Sequence, residues 1–330
     1  MPAMNIRRGS MVLSLGAMAM LQLFGLSANA KTIKFGIPNS VDILPININS
    51  SGDVAGWYED ADYAAHCFIW SPAVGVTSFD IPDGPRCEAV GIDDNGLAYG
   101  TYQAGRRQAG FVRAPDGTIT TFRGPKGERS IQPQSNSLNG FVAGDVAGGK
   151  PLIFEGFVRD PQGHVEIFGP DGTIAWCVND SGATAGNWGQ NVGEAFLRQP
   201  DGTIVTFSVN SYETYPSHLN DKGQVVGFFY PPNEGDGFIR QSDGTLTTFV
   251  APDAKYTYPY SINNDGTVVG WTYDGYSVSR GFVRKPDGTI TIVLPRHATN
   301  SAIYGINDSG QMAGIYRDET NTPWVFIIAP

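Results

Sequence analysis

Few side chains in this 330-residue protein could do acid–base or nucleophilic chemistry, and most of those stand alone. Its four histidines and three cysteines form no C-x-x-C or H-E-x-x-H spacing, so neither a metal site nor a cofactor is expected. The stretch GDVAGGKP, 144–151, nearly spells the phosphate loop G-x-x-x-x-G-K-[ST], but Pro151 stands where magnesium would need a hydroxyl. His218 is the one large titratable group at a position where the other copies of a repeat carry Asn47, Gly91, Ser137, Cys177, Ser261 and Gly305. With Arg280 or Arg296 to neutralise a sugar carboxylate, it could remove the neighbouring proton, which is the chemistry of a polysaccharide lyase. A second group is aromatic: Tyr212, Tyr215, Tyr256, Tyr258, Tyr260, Trp271 and Tyr273. Each offers an apolar ring, most of them a polar tip as well, and such rings suit stacking on a sugar or another flat, hydroxylated ligand.

What positions these residues is a repeat. Copies begin at Ile48, Ile92, Leu138, Val178, Leu219, Ile262 and Ile306. Each runs from an apolar-Asn pair through a turn ending in Gly, a second Gly, a variable stretch, then Gly-Phe-Val-Arg, Pro-Asp-Gly-Thr and a last apolar run. A period of this length suits helical pairs or four-stranded propeller blades. Composition selects the second, because every segment is short and rich in Val, Ile, Thr and aromatic residues, and the Asn-Asp-Gly and Pro-Asp-Gly turns fit tight hairpins. The expected fold is all-β, a seven-bladed β-propeller of four-stranded blades over residues 31–330. In the sixth copy strand A falls around Ser261–Asn263, B at Thr267–Trp271, C at Gly281–Lys285 and D at Thr289–Leu294. The seventh copy stops at WVFIIAP with no fourth strand, while TIKFGIP at Thr32 matches D-strand text, so the N-terminal strand should close the last blade.

In such blades the A–B and C–D turns share one face, and the B–C and D–A loops share the other. The first face is monotonous, and its Asp residues read as turn caps. The arginines at 113, 159, 198, 240 and 284 read as a surface ion-pair ladder. The other face carries the variable text, including VNSYETYPSH and APDAKYTYPY, where loops on a rigid scaffold usually hold function. Cys67 and Cys87 should both lie there, close enough for a disulfide, with Cys177 left over.

The stretches AAHCFIWSP, GEAFLRQPDG and GINDSGQMAG resemble the bacterial extracellular HAF repeat family. Only the first copy keeps the His of the His-Ala-Phe strand, with Cys67 in place of Ala. The resemblance implies export and a repeat array, and brings no catalytic residue set. Export is also written in residues 1–30: Arg7 and Arg8, an apolar run from Met11 to Leu26, and a small-residue ANA ending at Ala30, where a signal peptide would be cut. Removing two arginines takes the formal charge from −10 to −12. Such a surface disfavours nucleic acid and anionic lipid, and no later run is long enough to span a membrane. A secreted or periplasmic monomer is expected, a recognition module for a carbohydrate or small polar ligand on its Tyr-rich face. A polysaccharide lyase or hydrolase using the same face is the alternative.

Overall fold

The computed structural model describes residues 31–330 except 83, 85, 125–129, 150–151, 189–192 and 233. The expected signal segment and the Lys150–Pro151 pair therefore lie outside the described residues. The chain forms seven four-stranded antiparallel sheets, six of them built from consecutive strands. The innermost strands are Asp42–Ile48, Cys87–Ile92, Ser130–Asn136, Thr173–Val178, Thr214–Leu219, Tyr256–Ile262 and Ala298–Ile306. Each packs on the next around a ring, and the seventh packs on the first. The seventh sheet takes its outer strand from the other end of the chain: Lys31–Phe35 pairs antiparallel with Pro323–Ala329, from Lys31 opposite Ala329 to Phe35 opposite Val325. The expected seven-bladed propeller and its closure are what the chain adopts.

A repeated device shapes the inner strands. In every blade strand A carries a β-bulge, and the residue just before it faces the repeat's second glycine on strand B, as Pro45 faces Gly56 and Pro259 faces Gly270. Proline is tolerated because strand A is an edge strand. The glycine is required because a Cβ there would collide with a strand A carbonyl oxygen, that of Leu44 at Gly56 and of Tyr258 at Gly270. Below that contact lies a phenylalanine of strand C, and all seven, from Phe68 to Phe326, are fully buried.

Two boundaries differ from the sequence reading. Blade three's inner strand ends at Asn136, two residues before the expected Leu138, so the counterpart of His218 there is Ser135 rather than Ser137. Strand A of blade six begins at Tyr256, not near Ser261, which turns three tyrosines expected on a loop into strand residues.

The arginine series is not a surface ion-pair ladder: of the five, Arg198 alone has a carboxylate partner among the described residues, Glu166. Each guanidinium lies over a D-strand phenylalanine of the preceding blade: Arg113 over Phe79, Arg159 over Phe122, Arg198 over Phe168, Arg240 over Phe207 and Arg284 over Phe249, at 4.8–5.1 Å from the ring centre. Arg198 and Arg240 are buried. The seams are therefore cation–π contacts, and two seams differ. Trp70 stacks on Phe35 at 5.6 Å between blades seven and one. Between six and seven, Val293 and Ile328 share one buried cluster.

The monotonous turns also join blades. Asn49, Asn179, Asn220 and Asn263 each cap their own turn through Oδ1 and donate from Nδ2 to the next blade, and Asn307 donates to Asn49 O at 2.9 Å. Their repetition is more than hairpin geometry, because it ties the ring at its narrow end.

Cys67 of blade one and Cys87 of blade two form a disulfide with Cα atoms 5.3 Å apart, and Cys177 is free and buried. Both bridged cysteines are fully buried among Ala55, Ile81 and Phe111. The bridge closes a loop with a separation of 20 residues, so reducing it should cost about 3 kcal/mol. Denaturant unfolding with and without reductant checks this; coincident curves would remove the bridge from the stability of the fold.

Candidate functional site

The half-buried residues of the inner strands alternate with buried ones that pack on the preceding blade, so the half-buried set borders the central funnel. On blades five and six that set includes Tyr215, Tyr256 and Tyr258. Tyr215 stands opposite Phe228 across strands A and B, Tyr258 opposite Trp271, and Tyr256 opposite Tyr273. These rings touch in an unbroken series. Tyr215 stacks on Phe228 at 5.3 Å, Phe228 meets Tyr258 edge-on at 5.0 Å, and Tyr258 lies 4.5 Å from Trp271. Tyr256 stacks on Tyr258 and on Tyr273, each at 6.1 Å. Tyr230 closes against Tyr215 and Phe228 and stays exposed.

Backbone contacts hold this belt in place. The B–C loop of blade five is bonded to the start of blade six, with Gly235 N–H donating to Lys255 O at 3.2 Å and Thr257 N–H to Gly235 O at 2.7 Å. The Tyr215 hydroxyl donates to Glu213 at 3.0 Å. Burial, with that carboxylate second, pushes the Tyr215 phenol up to about 12. It therefore remains a neutral donor and acceptor at any ordinary pH. Lys255 Nζ lies 5.5 Å from the Tyr256 ring.

Of the residues expected at the site, Tyr215, Tyr256, Tyr258, Trp271 and Tyr273 come together. Tyr212 stacks on Phe229 and packs on the core between blades four and five. Tyr260 is the bulge residue of blade six, its ring edge-on to Tyr304 at 4.9 Å. Phe228, Tyr230 and Tyr304 belong with the group but were not singled out from sequence. The signal for Phe228 and Tyr230 was available in FFYPPNEGD, which opens the variable loop of blade five.

His218 lies at the opposite mouth. It borders a cavity of about 70 Å³ among the A–B turns, with Asp180, Asp221 and Asp308 around it. Its Nδ1 accepts the Ile262 N–H at 3.3 Å. Burial lowers its pKa to about 4, the nearby Asp221 only partly opposing this, so the ring is neutral at pH 7. A cavity of that size holds a couple of water molecules and no sugar. Neither Arg280 nor Arg296 borders it; Arg280 sits on strand C opposite Thr272, and Arg296 is exposed.

A larger cavity, about 400 Å³, opens between blades six and seven on the belt's side of the ring. Trp271, Tyr273, Ser277, Ser279, Asn300, Tyr304 and Arg317 are among its walls. Only two of the aromatic residues expected at the site, Trp271 and Tyr273, border it directly. The Tyr-rich face of blades five and six is thus an open belt, and the larger hollow lies beside it toward blade seven.

No family model matches the chain, and no curated protein matches it. Among solved structures it is similar to virginiamycin B lyase from Staphylococcus aureus, at 13% identity and a TM-score of 0.58 over 91% of this chain and 99% of that one. A streptogramin B lyase aligns at 12% identity and 0.58 over 91% and 98%. A puromycin hydrolase aligns at 11% identity and 0.59, covering 86% of this chain and 52% of that one. At these identities the likeness is one of fold.

Proposed function

We propose that this protein is an exported recognition module that binds a carbohydrate or small polar ligand on the aromatic belt of blades five and six. The observation that carries the reading is the unbroken ring series from Tyr215 to Tyr273 on the face whose sequence differs from blade to blade. Side chains that merely filled a repeat would recur with it. No other blade has two aromatic rings at the corresponding A–B pair: these are Leu44 with Trp57, Glu88 with Thr101, Gln132 with Asp145, Ile174 with Asn187 and Ala302 with Ile315. Half-buried tyrosines offer a flat apolar surface with hydroxyls at its edge, the arrangement that sugar rings stack on.

Export is supported by the features of residues 1–30, by the likeness to the HAF repeat proteins, and by an inter-blade disulfide of the kind that persists in oxidising compartments. Propellers host binding and catalysis alike, as the lyases and hydrolase of similar fold illustrate, so fold alone does not choose. The lyase reading that relied on His218 has little to stand on, because that ring borders a small cavity at the mouth opposite the belt, and neither Arg280 nor Arg296 borders that cavity.

The test is a double substitution, Tyr256→Ala with Tyr258→Ala, assayed against a panel of soluble and immobilised glycans. Loss of two stacking rings should weaken binding about tenfold to a hundredfold, with the melting temperature within a few degrees of the parent. Undiminished binding to a glycan by the folded variant would show that the belt is not the site.

A further inference from the structure

The cavity between blades six and seven shares Trp271 and Tyr273 with the belt, and its far walls are built differently. Three of its polar groups are committed to the fold, the first being the Tyr273 hydroxyl, which donates to Tyr276 O at 2.9 Å. Asn300 Oδ1 accepts the Ser279 N–H at 2.9 Å, and the Ser301 hydroxyl accepts the Gly281 N–H at 2.9 Å while donating to Val293 O at 2.6 Å. The remaining uncharged side-chain groups are not committed: the Ser277 and Ser279 hydroxyls, the Asn300 amide nitrogen, the Trp271 indole nitrogen and the Tyr304 and Tyr316 hydroxyls have no hydrogen-bond partner among the described residues. These are uncharged donors and acceptors spaced around an aromatic wall.

The one charged side chain in the lining is Arg317, and its charge is already answered. Nη2 donates to Asp42 at 2.8 Å and to Val41 O at 3.3 Å, while Nη1 donates to Asn321 O at 3.1 Å and to Val41 O at 3.4 Å. Along the belt the charges lean negative, with Glu213 on the Tyr215 hydroxyl and Glu234 and Asp236 on the adjoining loop, against Lys255. A carboxylate or sulfate entering the cavity would lose its hydration and meet no free cation in its lining.

We propose that this cavity is an end subsite for an uncharged, hydroxyl-rich ring, the terminal unit of a neutral glycan whose preceding units stack on the belt. The proposal rests on the reading of the belt as a recognition surface and specifies what it recognises. Belt rings give area without direction, whereas the cavity supplies the convergent polar groups that fix orientation. Closure on the blade seven side by Tyr304, Tyr316 and Arg317 makes it a place where a chain stops rather than passes through.

The experiment is calorimetric titration of the disulfide-intact protein with cello-, malto-, xylo- and chito-oligosaccharides of one to six units, and with oligogalacturonates of the same lengths. Two variants accompany it. Ser277 is exposed at the rim, so Ser277→Trp fills the cavity from outside, and Asn300→Asp keeps the acceptor for Ser279 while replacing the free donor by a charge. At least one neutral series should bind with affinity that rises with length, and each variant should weaken its longer members about tenfold. Oligogalacturonates should bind at least tenfold more weakly at both low and high salt. Equal or tighter binding of the oligogalacturonates overturns the assignment of a neutral ligand while leaving recognition intact. Unchanged affinity in both variants overturns the end subsite. Absence of binding by any oligosaccharide to the parent protein removes the recognition reading itself, and this proposal with it.

Discussion

Deleting Lys31–Phe35 should lower the melting temperature by about 10 °C or more, or drive the protein into aggregates. Five residues pair with Val325–Ala329 of the C-terminal strand. Phe35 also stacks on Trp70 and lies edge-on to Phe68, so the deletion opens the seam between blades seven and one. Two losses combine: a row of backbone groups on Val325–Ala329 becomes a bare edge, and a cluster including Val54, Phe68 and Val325 loses a side. Several kcal/mol from a stability of about 5–15 kcal/mol is most of what a domain has. Adding the missing strand as a synthetic peptide should restore part of the loss by binding in the vacated position. A melting temperature unchanged by the deletion would mean that the ring holds without its clasp.

Gly144→Val should be comparably severe, costing about 3 kcal/mol or more. A Cβ at this position would collide with the carbonyl oxygen of Gln132 and stand 2.8 Å from the Phe157 ring. The collision is with backbone on one side and with a fully buried ring on the other, so neither can yield without moving strand A out of the ring. Gly36→Ala is the control, since its Cβ would meet the Trp324 ring at an ordinary 3.4 Å. Urea unfolding of the two variants should separate them by several kcal/mol. A Gly144→Val protein as stable as Gly36→Ala would mean that the inner strand is free to shift.

The fold was readable because the repeat supplies seven copies of one message, and the turn text marks where each strand reverses. The closing strand was readable because TIKFGIP resembles other outer strands, and the disulfide because both cysteines fall on one side of adjacent blades. The start of each inner strand was not. In YTYPYSI the proline argues for a loop by ordinary rules, yet strand A is an edge whose proline needs no partner, and the bulge that follows breaks the alternation expected of a strand. The arginines were misread for a different reason. Their partners lie some 30 to 40 residues earlier, on a neighbouring blade, so nothing local to Gly-Phe-Val-Arg distinguishes a ring contact from an ion pair. His218 drew notice as the odd residue in a small-residue series; the sequence does not reveal that the cavity it borders is small and lies among the A–B turns, away from the aromatic belt.

The seam pairs have a consequence for how such a chain can change its number of blades. Blades two to five each present an arginine to the blade before and a phenylalanine to the blade after. Any of them, duplicated or lost by recombination, leaves its neighbours facing a matching partner. Blade six ends in Val293, blade seven offers Ile328 and Phe35, and blade one answers with Trp70, so these three fit only one another. The ring thus carries a fixed clasp and an interchangeable arc. Copying within the arc would widen the funnel while leaving the closure untouched, and the aromatic belt straddles the boundary between the two, one half on blade five and the other on blade six.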